Sequence, residues 1–349
     1  MKSLKPKFIF LATLSICLSS CSTSLLYTSL DVLRPAKVAF ANDANDLLIV
    51  NNTVNQPSDY GHKTEILYSK PKNINIQTDS LPIFCVGALT EDLEGKGFFS
   101  SVRLIPNSLN DGSDFFKPGE LTDDNVKKLC LANHSNVILS LDRIVENDDL
   151  IEDFMVESNT FLASIEARFE TYWSIHYLNN PEVTTMQYKD TLYWQSESYE
   201  RAKAQSDLPK RTDALIDGAL NIGHICVNRF VPYWDKVDRY FFNPNNKLMK
   251  QGMDSVYVKN WKSAINSWDS VYVKSHNVRI QAEAANNIAI GWEITGNIDK
   301  ALDYATKSYN SFGKLTIVDY ESYFRLSEYI KELTERKKEI DILRKQLGE

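Results

Sequence analysis

The stretch FLASIEARFETYWSIHY, residues 161–177, alternates over nearly its whole length, with Leu162 and Tyr172 the exceptions. Phe161, Ala163, Ile165, Ala167, Phe169, Thr171, Trp173, Ile175 and Tyr177 fall on one side, and Ser164, Glu166, Arg168, Glu170, Ser174 and His176 on the other. Successive side chains of a strand leave opposite faces, so a period of two this long predicts a long strand with one face buried. Asn179-Asn180-Pro181 is turn chemistry, and Met186, Tyr188, Leu192 and Trp194 continue the pattern beyond it. A long antiparallel hairpin is expected. Asp190 interrupts its apolar face and is read either as a bulge or as a functional buried carboxylate.

Upstream, Leu47-Leu48-Ile49-Val50 is a short apolar run stopped by Asn51-Asn52-Thr53, the pattern of a buried strand. Ile83, Val86, Leu89 and Leu93 recur at helical spacing until Gly95 and Gly97. Phe98 to Ile105 reads as a strand, Asn107 to Gly119 as a turn-rich loop, and Thr122 caps a helix carrying Val126, Leu129 and Cys130. Val137 to Leu141 is a third buried strand. Strand, helix, strand, helix, strand describes a small α/β layer. Beyond the hairpin, Leu208 to Arg229 is a helix in which Gly218 and Gly223 allow close packing on a sheet, and Pro232 ends it.

The C-terminal third is helical throughout. Trp261-Lys262-Ser263-Ala264-Ile265 aligns with Ile298-Asp299-Lys300-Ala301-Leu302 at an offset of 37, and Gly252 with Ala289 at the same offset. These residues resemble the tetratricopeptide (TPR) repeat, with Trp268 and Trp292 at aromatic positions and Lys259 where the first turn would hold glycine. The fold class expected is therefore α+β: an N-terminal α/β layer with a long antiparallel β-hairpin, residues 46–244, then an all-α TPR-like region, residues 245–349, closed by a charged amphipathic helix. A TPR stack presents a concave face to peptides. The resemblance implies that Asn246, Met249, Met253, Tyr257, Glu283, Asn286, Ile290 and Glu293 turn toward that groove; the alternative places Met249, Met253 and Ile290 in a core.

The N-terminus carries an address. Lys2, Lys5 and Lys7 precede the apolar run Phe8 to Leu18, too short to span a bilayer and matched to the centre of a secretory signal. Leu18-Ser19-Ser20-Cys21 resembles the bacterial lipobox. Residues 1–20 are thus expected to be a signal peptide, Cys21 to be acylated, and residues 21–45 to form a lipidated tether. Of the cysteines that remain, Cys85, Cys130 and Cys226, an odd number allows at most one bridge, and Cys85–Cys130 is conceivable beside three buried thiols.

The whole chain carries 39 basic and 46 acidic residues, a net charge of −7. No basic stretch could track a phosphate backbone, so nucleic acid is not an expected partner. No phosphate loop, nucleophile elbow or zinc-protease motif occurs, and neither cofactor nor metal is expected. Glu146, Asp148, Asp149, Glu152 and Asp153 cluster without calcium-loop order and read as a solvated loop; Asp111 to Asp114 reads as a turn. His224 and Cys226 do not share a helix face.

Leu33-Arg34-Pro35-Ala36 before the strand Leu48 to Thr53, then Phe230 to Trp234 followed by Arg239-Tyr240-Phe241, and the repeat-like tail together resemble a family of lipoproteins of Bacteroidetes with no established function. Residues 46–143 resemble, in topology, the α/β domain of envelope lipoproteins that activate peptidoglycan synthases or assemble secretion pores. The uncharged Ser22 to Leu26 after Cys21 implies the periplasmic face of the outer membrane. The functional expectation is a non-catalytic envelope lipoprotein that binds another envelope protein or peptide through its tail. Capture of glycan by exposed tryptophans is the alternative, and an enzyme built on Asp190 or the cluster around Asp149 is the third.

Overall fold

The computed structural model describes residues 23–110, 114–317 and 319–348. The expected signal peptide, Cys21, and most of the Asp111 to Asp114 turn lie outside the described residues. The rest is mixed α+β, with a sheet-rich part followed by helices. It divides into two compact units, one of residues 35–233 and one joining residues up to Arg34 with Trp234–Leu347.

In the sheet-rich unit, β2 (Asp46–Asn51), β5 (Ser101–Ile105) and the start of β6 (Val137–Met155) run parallel, with β2 in the middle. β2 is buried on both sides. Leu47 and Ile49 face α1 (Leu81–Lys96) and α4 (Arg211–Phe230), which follows the short α3 (Arg201–Ser206), while Leu48 and Val50 face Val126 and Cys130 of α2 (Asp123–Asn133). That two-sided burial is why the strand reads as a continuous apolar run. The far half of β6 pairs in parallel with β3 (His62–Ile66), to which the two-residue β4 (Lys72–Asn73) adds an edge. On its other side β6 pairs antiparallel with β7 (Thr160–Tyr177), and β7 with β8 (Asn180–Ser198). One 19-residue strand therefore joins the parallel layer to the long hairpin.

Several expectations change here. The acidic residues 146–153 lie within β6, not in a loop, and Glu146, Asp148 and Glu152 are buried. A run of acids looked solvated because alternation hid that every second side chain points inward. No bulge occurs at Asp190: the β7–β8 register is unbroken there, opposite Phe169. The half-buried carboxylate instead accepts from the Tyr188 hydroxyl at 2.7 Å and from the Thr191 amide at 2.8 Å. Cys85, Cys130 and Cys226 are buried free thiols. Gly218 faces the sheet as expected, with Phe169 in the space a Cβ would need, but Gly223 abuts the carbonyl of Cys85 on α1.

The helical unit consists of α5 (Lys247–Tyr257), α6 (Trp261–Lys274), α7 (Val278–Ile294), α8 (Ile298–Phe312) and α9 (Tyr320–Leu347). Asn246, Asn260, Asn277 and Asn297 cap the first four through their side-chain carbonyls. The offset of 37 reappears in the backbone: Lys259 and Gly296, each just before a capping Asn, both adopt left-handed φ, +55° and +83°. Trp268, fully buried, fills the space between α5 and α6, and its indole donates to the Met249 carbonyl at 3.2 Å. Among the described residues no helix is long and apolar enough to cross a membrane.

Residues 24–34, expected as part of a tether, form β1 (Ser24–Arg34), which pairs with β9 (Tyr233–Asn243) in a two-stranded ribbon. Ser24 bonds to the Asn243 carbonyl, Ser29 to Asp238 and Arg34 to Asp235, a descending order that marks the strands as antiparallel. Local sequence concealed this strand because its partner lies about 200 residues away and its stability comes from pairing. The ribbon moves the unit boundary from residue 244 to between Tyr233 and Trp234.

Gly252 tests the packing. A Cβ there would sit 2.1 Å from the Trp268 indole nitrogen, whereas one at Gly87 within α1 meets nothing within 4 Å. Gly252→Ala is expected to lower stability of the helical unit by about 1–3 kcal/mol. Gly87→Ala should raise that of the sheet-rich unit by roughly 0.5–1 kcal/mol. Hydrogen exchange resolved by unit measures both.

Candidate functional site

Helix α7 is buried along nearly its whole length, polar residues included. It lies among α6, α8 and the β1–β9 ribbon, so even Glu283, Asn286, Asn287 and Glu293 are enclosed. Each bonds to the ribbon or to Thr23 just before it. Asn287 grips the backbone of Phe242 at both ends, accepting from its N–H and donating to its C=O, each at 2.8 Å. Asn286 donates to the Tyr240 carbonyl at 2.9 Å, and Glu283 accepts from the Thr23 hydroxyl at 2.7 Å. Glu293 receives both Nε and Nη2 of Arg239 at 2.8 Å, the Tyr329 hydroxyl at 2.7 Å, and Arg336. Burial opposes the Arg239 charge, but Glu293 and Glu332 more than offset it and raise its pKa. Burial, with Glu293 beside it, pushes the Tyr329 phenol well up.

This corrects the groove drawn from the repeat pattern. Met249, Met253, Glu283, Asn286, Ile290 and Glu293 are buried, Asn246 is a helix cap, and Tyr257 stands 72% exposed. The side chains on α7 do hold an extended peptide segment, and it is the chain's own β9. The repeat pattern locates a helix face but not what covers it, and β9 covers it because Phe241 and Phe242 bury there.

What stays open is a cavity of about 540 Å³ beside the ribbon. Asn286 and Ile290 are at its floor, Tyr27 and Tyr240 come from the ribbon, and Phe324 and Glu328 from α9. Two polar atoms of its lining residues have no partner: the Tyr240 hydroxyl, a donor, and the Asn286 Oδ1, an acceptor. Tyr27 and Phe324 are 65% and 67% exposed. Sequence reasoning found Asn286 and Ile290 and missed the rest. Arg239-Tyr240 stood within a recognised stretch, but nothing local tied it to residue 286 or 329.

The other candidates disperse. Trp268 is buried, Trp194, Trp261 and Trp292 are half-buried, and Trp234 alone of these is broadly exposed, so no flat platform of tryptophans forms. His224 pairs with Asp92 at 2.9 Å on the surface, apart from Cys226 in the core.

The fold and the site define a two-unit α+β protein whose helical unit clasps its own strand. Residues 44–242 match the family described as a domain of unknown function (DUF8603), and the chain belongs to it. Residues 250–335 match a second, described as a domain of unknown function (DUF6340). No curated protein matches the chain.

Two predictions follow from α7. Glu293→Ala leaves the buried Arg239 without its main partner and should cost about 3–5 kcal/mol, read as a fall in the denaturation midpoint. Burial pushes the Glu283 carboxyl up to about 6, against the lowering effect of the Thr23 hydroxyl. Between roughly pH 4.3, its unfolded value, and 6, the folded chain keeps a proton that the unfolded chain has released. That contribution to stability is therefore lost as pH rises through the window. Glu283→Gln should flatten stability between pH 4.5 and 6 and raise it at pH 7; an unchanged pH profile would contradict the assignment.

Proposed function

We propose that this protein is a non-catalytic, lipid-anchored envelope protein that binds an extended segment of a partner protein in the cavity beside the β1–β9 ribbon. The observation that carries the reading is the exposed aromatic pair there: Tyr27 of β1 and Phe324 of α9 are 65% and 67% exposed and line the cavity. Glu328 and Glu335 stand exposed beside them on α9, with Lys331 between. A segment with an aromatic or aliphatic side chain next to Lys or Arg fits that chemistry.

The helical unit is a TPR-like array in this reading. The offset of 37, shared by sequence, caps and left-handed turn residues, supports it, as does the hold of α7 on an extended backbone. The partner then docks beside a groove already filled from within the chain. Lipidation at Cys21, in the outer membrane and facing the periplasm, rests on Leu18-Ser19-Ser20-Cys21 and the uncharged residues after it. β1 starts at Ser24, so two residues would lie between the anchored Cys21 and the ribbon, a reach of at most about 11 Å.

A photo-crosslinking residue at position 324, in membranes from cells making the full chain, should give one discrete protein adduct, and the same residue at exposed position 199 should not. Phe324→Glu should weaken the isolated complex at least about tenfold. Absence of an adduct at 324, or equal adducts at both positions, sinks the reading. Separately, Cys21→Ala should abolish incorporation of labelled palmitate, and label kept on that variant would overturn the anchor.

A further inference from the structure

Glu146 and Asp148 are two residues apart on β6, so both side chains leave one face. Their antiparallel partners on β7 are Phe169 and Ala167, which belong to the core under α4. Both carboxylates therefore point into the layer between sheet and helix. β3 sets His62 directly beside Asp148 in parallel register. Its Nδ1 lies 2.6 Å from Asp148 Oδ1 and 3.3 Å from Glu146 Oε2. The three residues are 0–1% exposed.

The partners are unevenly shared. Asp148 is satisfied: its second oxygen takes the Nε of Arg211, the first residue of α4, which also donates to Thr64 Oγ1 at 2.9 Å and to the Lys63 carbonyl at 2.6 Å. Glu146 is not. Neither of its oxygens, nor His62 Nε2, has a hydrogen-bond partner. Its backbone, by contrast, is pinned by Gln56, which donates to the Glu146 carbonyl at 2.6 Å and accepts from its N–H at 2.9 Å. Gly61, at φ +93°, lets the loop carrying Gln56 close on β6; a Cβ there would lie 2.8 Å from the Glu146 carbonyl. A firmly placed, fully buried carboxylate with no hydrogen bond to either oxygen is costly and calls for a cation or a proton.

We propose that His62, Glu146 and Asp148 form a site for a first-row divalent cation, Zn²⁺ being the best match. One imidazole nitrogen and two carboxylate oxygens lie within 4.8 Å of one another. Around zinc at about 2.0–2.2 Å such atoms stand roughly 3.3–3.6 Å apart. The His62–Glu146 spacing already meets this, and His62–Asp148 needs to open by less than 1 Å. Calcium and magnesium require six or more oxygen ligands, which this set does not supply. Arg211 orients Asp148 from behind, as outer-shell donors do for ligating carboxylates. A cation here ties β3 to β6.

Chelator-stripped full-length protein titrated with ZnCl₂ in a calorimeter should bind one Zn²⁺ per chain and gain several degrees in thermal midpoint. Glu146→Gln and His62→Gln should each weaken binding at least about tenfold, while His224→Gln, at the surface, leaves it unchanged. Zinc-edge X-ray absorption of the wild-type complex should show one imidazole, oxygen ligands and no sulfur, and it decides the matter should either buried variant fail to fold. No binding to the stripped protein, binding that survives Glu146→Gln, or a shell with sulfur or two imidazoles would overturn the proposal; the first outcome leaves a proton on Glu146 as the occupant.

Discussion

One buried carboxylate organises the helical unit. Glu293, near the end of α7, takes the guanidinium of Arg239 from β9, the phenol of Tyr329 and the guanidinium of Arg336 from α9. A lone carboxylate in that position would be strongly unfavourable. With these partners it pins a strand and two helices to one point, and Arg239 passes the connection on to Glu332 at 2.9 Å. Glu332 in turn meets Arg34 of β1, whose other partners are Asp235 and Glu339. The charges that hold the ribbon against α9 are thus one connected network, with each buried member compensated by a neighbour. Remote as they are in sequence, β1, β9, α7 and α9 can form it only together.

The same rule shapes the sheet-rich unit from the opposite direction. β6 is long enough to hold β2 at one end and β3 at the other, and its inner face changes from Leu139 and Leu141 to Glu146, Asp148 and Glu152. Arg211 and Arg201, from helices on either side of residue 207, reach Asp148 and Glu152. Glu146 is the one member of this row without such a donor, and burial and the adjacent Asp148 push its carboxyl up to about 9.

The two units also differ in how specific their polar contacts are. Along α7, amides meet backbone groups, which gives register and direction to β9 without selecting its side chains. Phe241 and Phe242 add the apolar burial. The segment held this way is the chain's own β9. Its presence within the chain explains why the residues expected to face a partner are enclosed, and why the remaining opening is displaced toward Tyr27 and Phe324.

Patterns with a short period were legible in the sequence. Alternation at 161–177 gave β7 and its hairpin, continuous apolar runs gave β2 and the first part of β6, and the offset of 37 gave two helix pairs, though not their Asn caps. Each depends on neighbours within a few residues, or on a repeat of them, and residue order records that directly. The ribbon, the cover on α7 and the meeting of His62 with Glu146 and Asp148 were decided by tertiary structure. Thr23 and Glu283 are 260 residues apart, and His62 and Asp148 are 86 apart. Nothing in a local stretch distinguishes a serine that pairs a strand from one in a linker, or an aspartate that meets imidazole from one that meets water. The physical reason is that burial belongs to the folded assembly: the same carboxylate is unremarkable in solvent and constrained to find a cation, a donor or a proton once a second strand and a helix close over it.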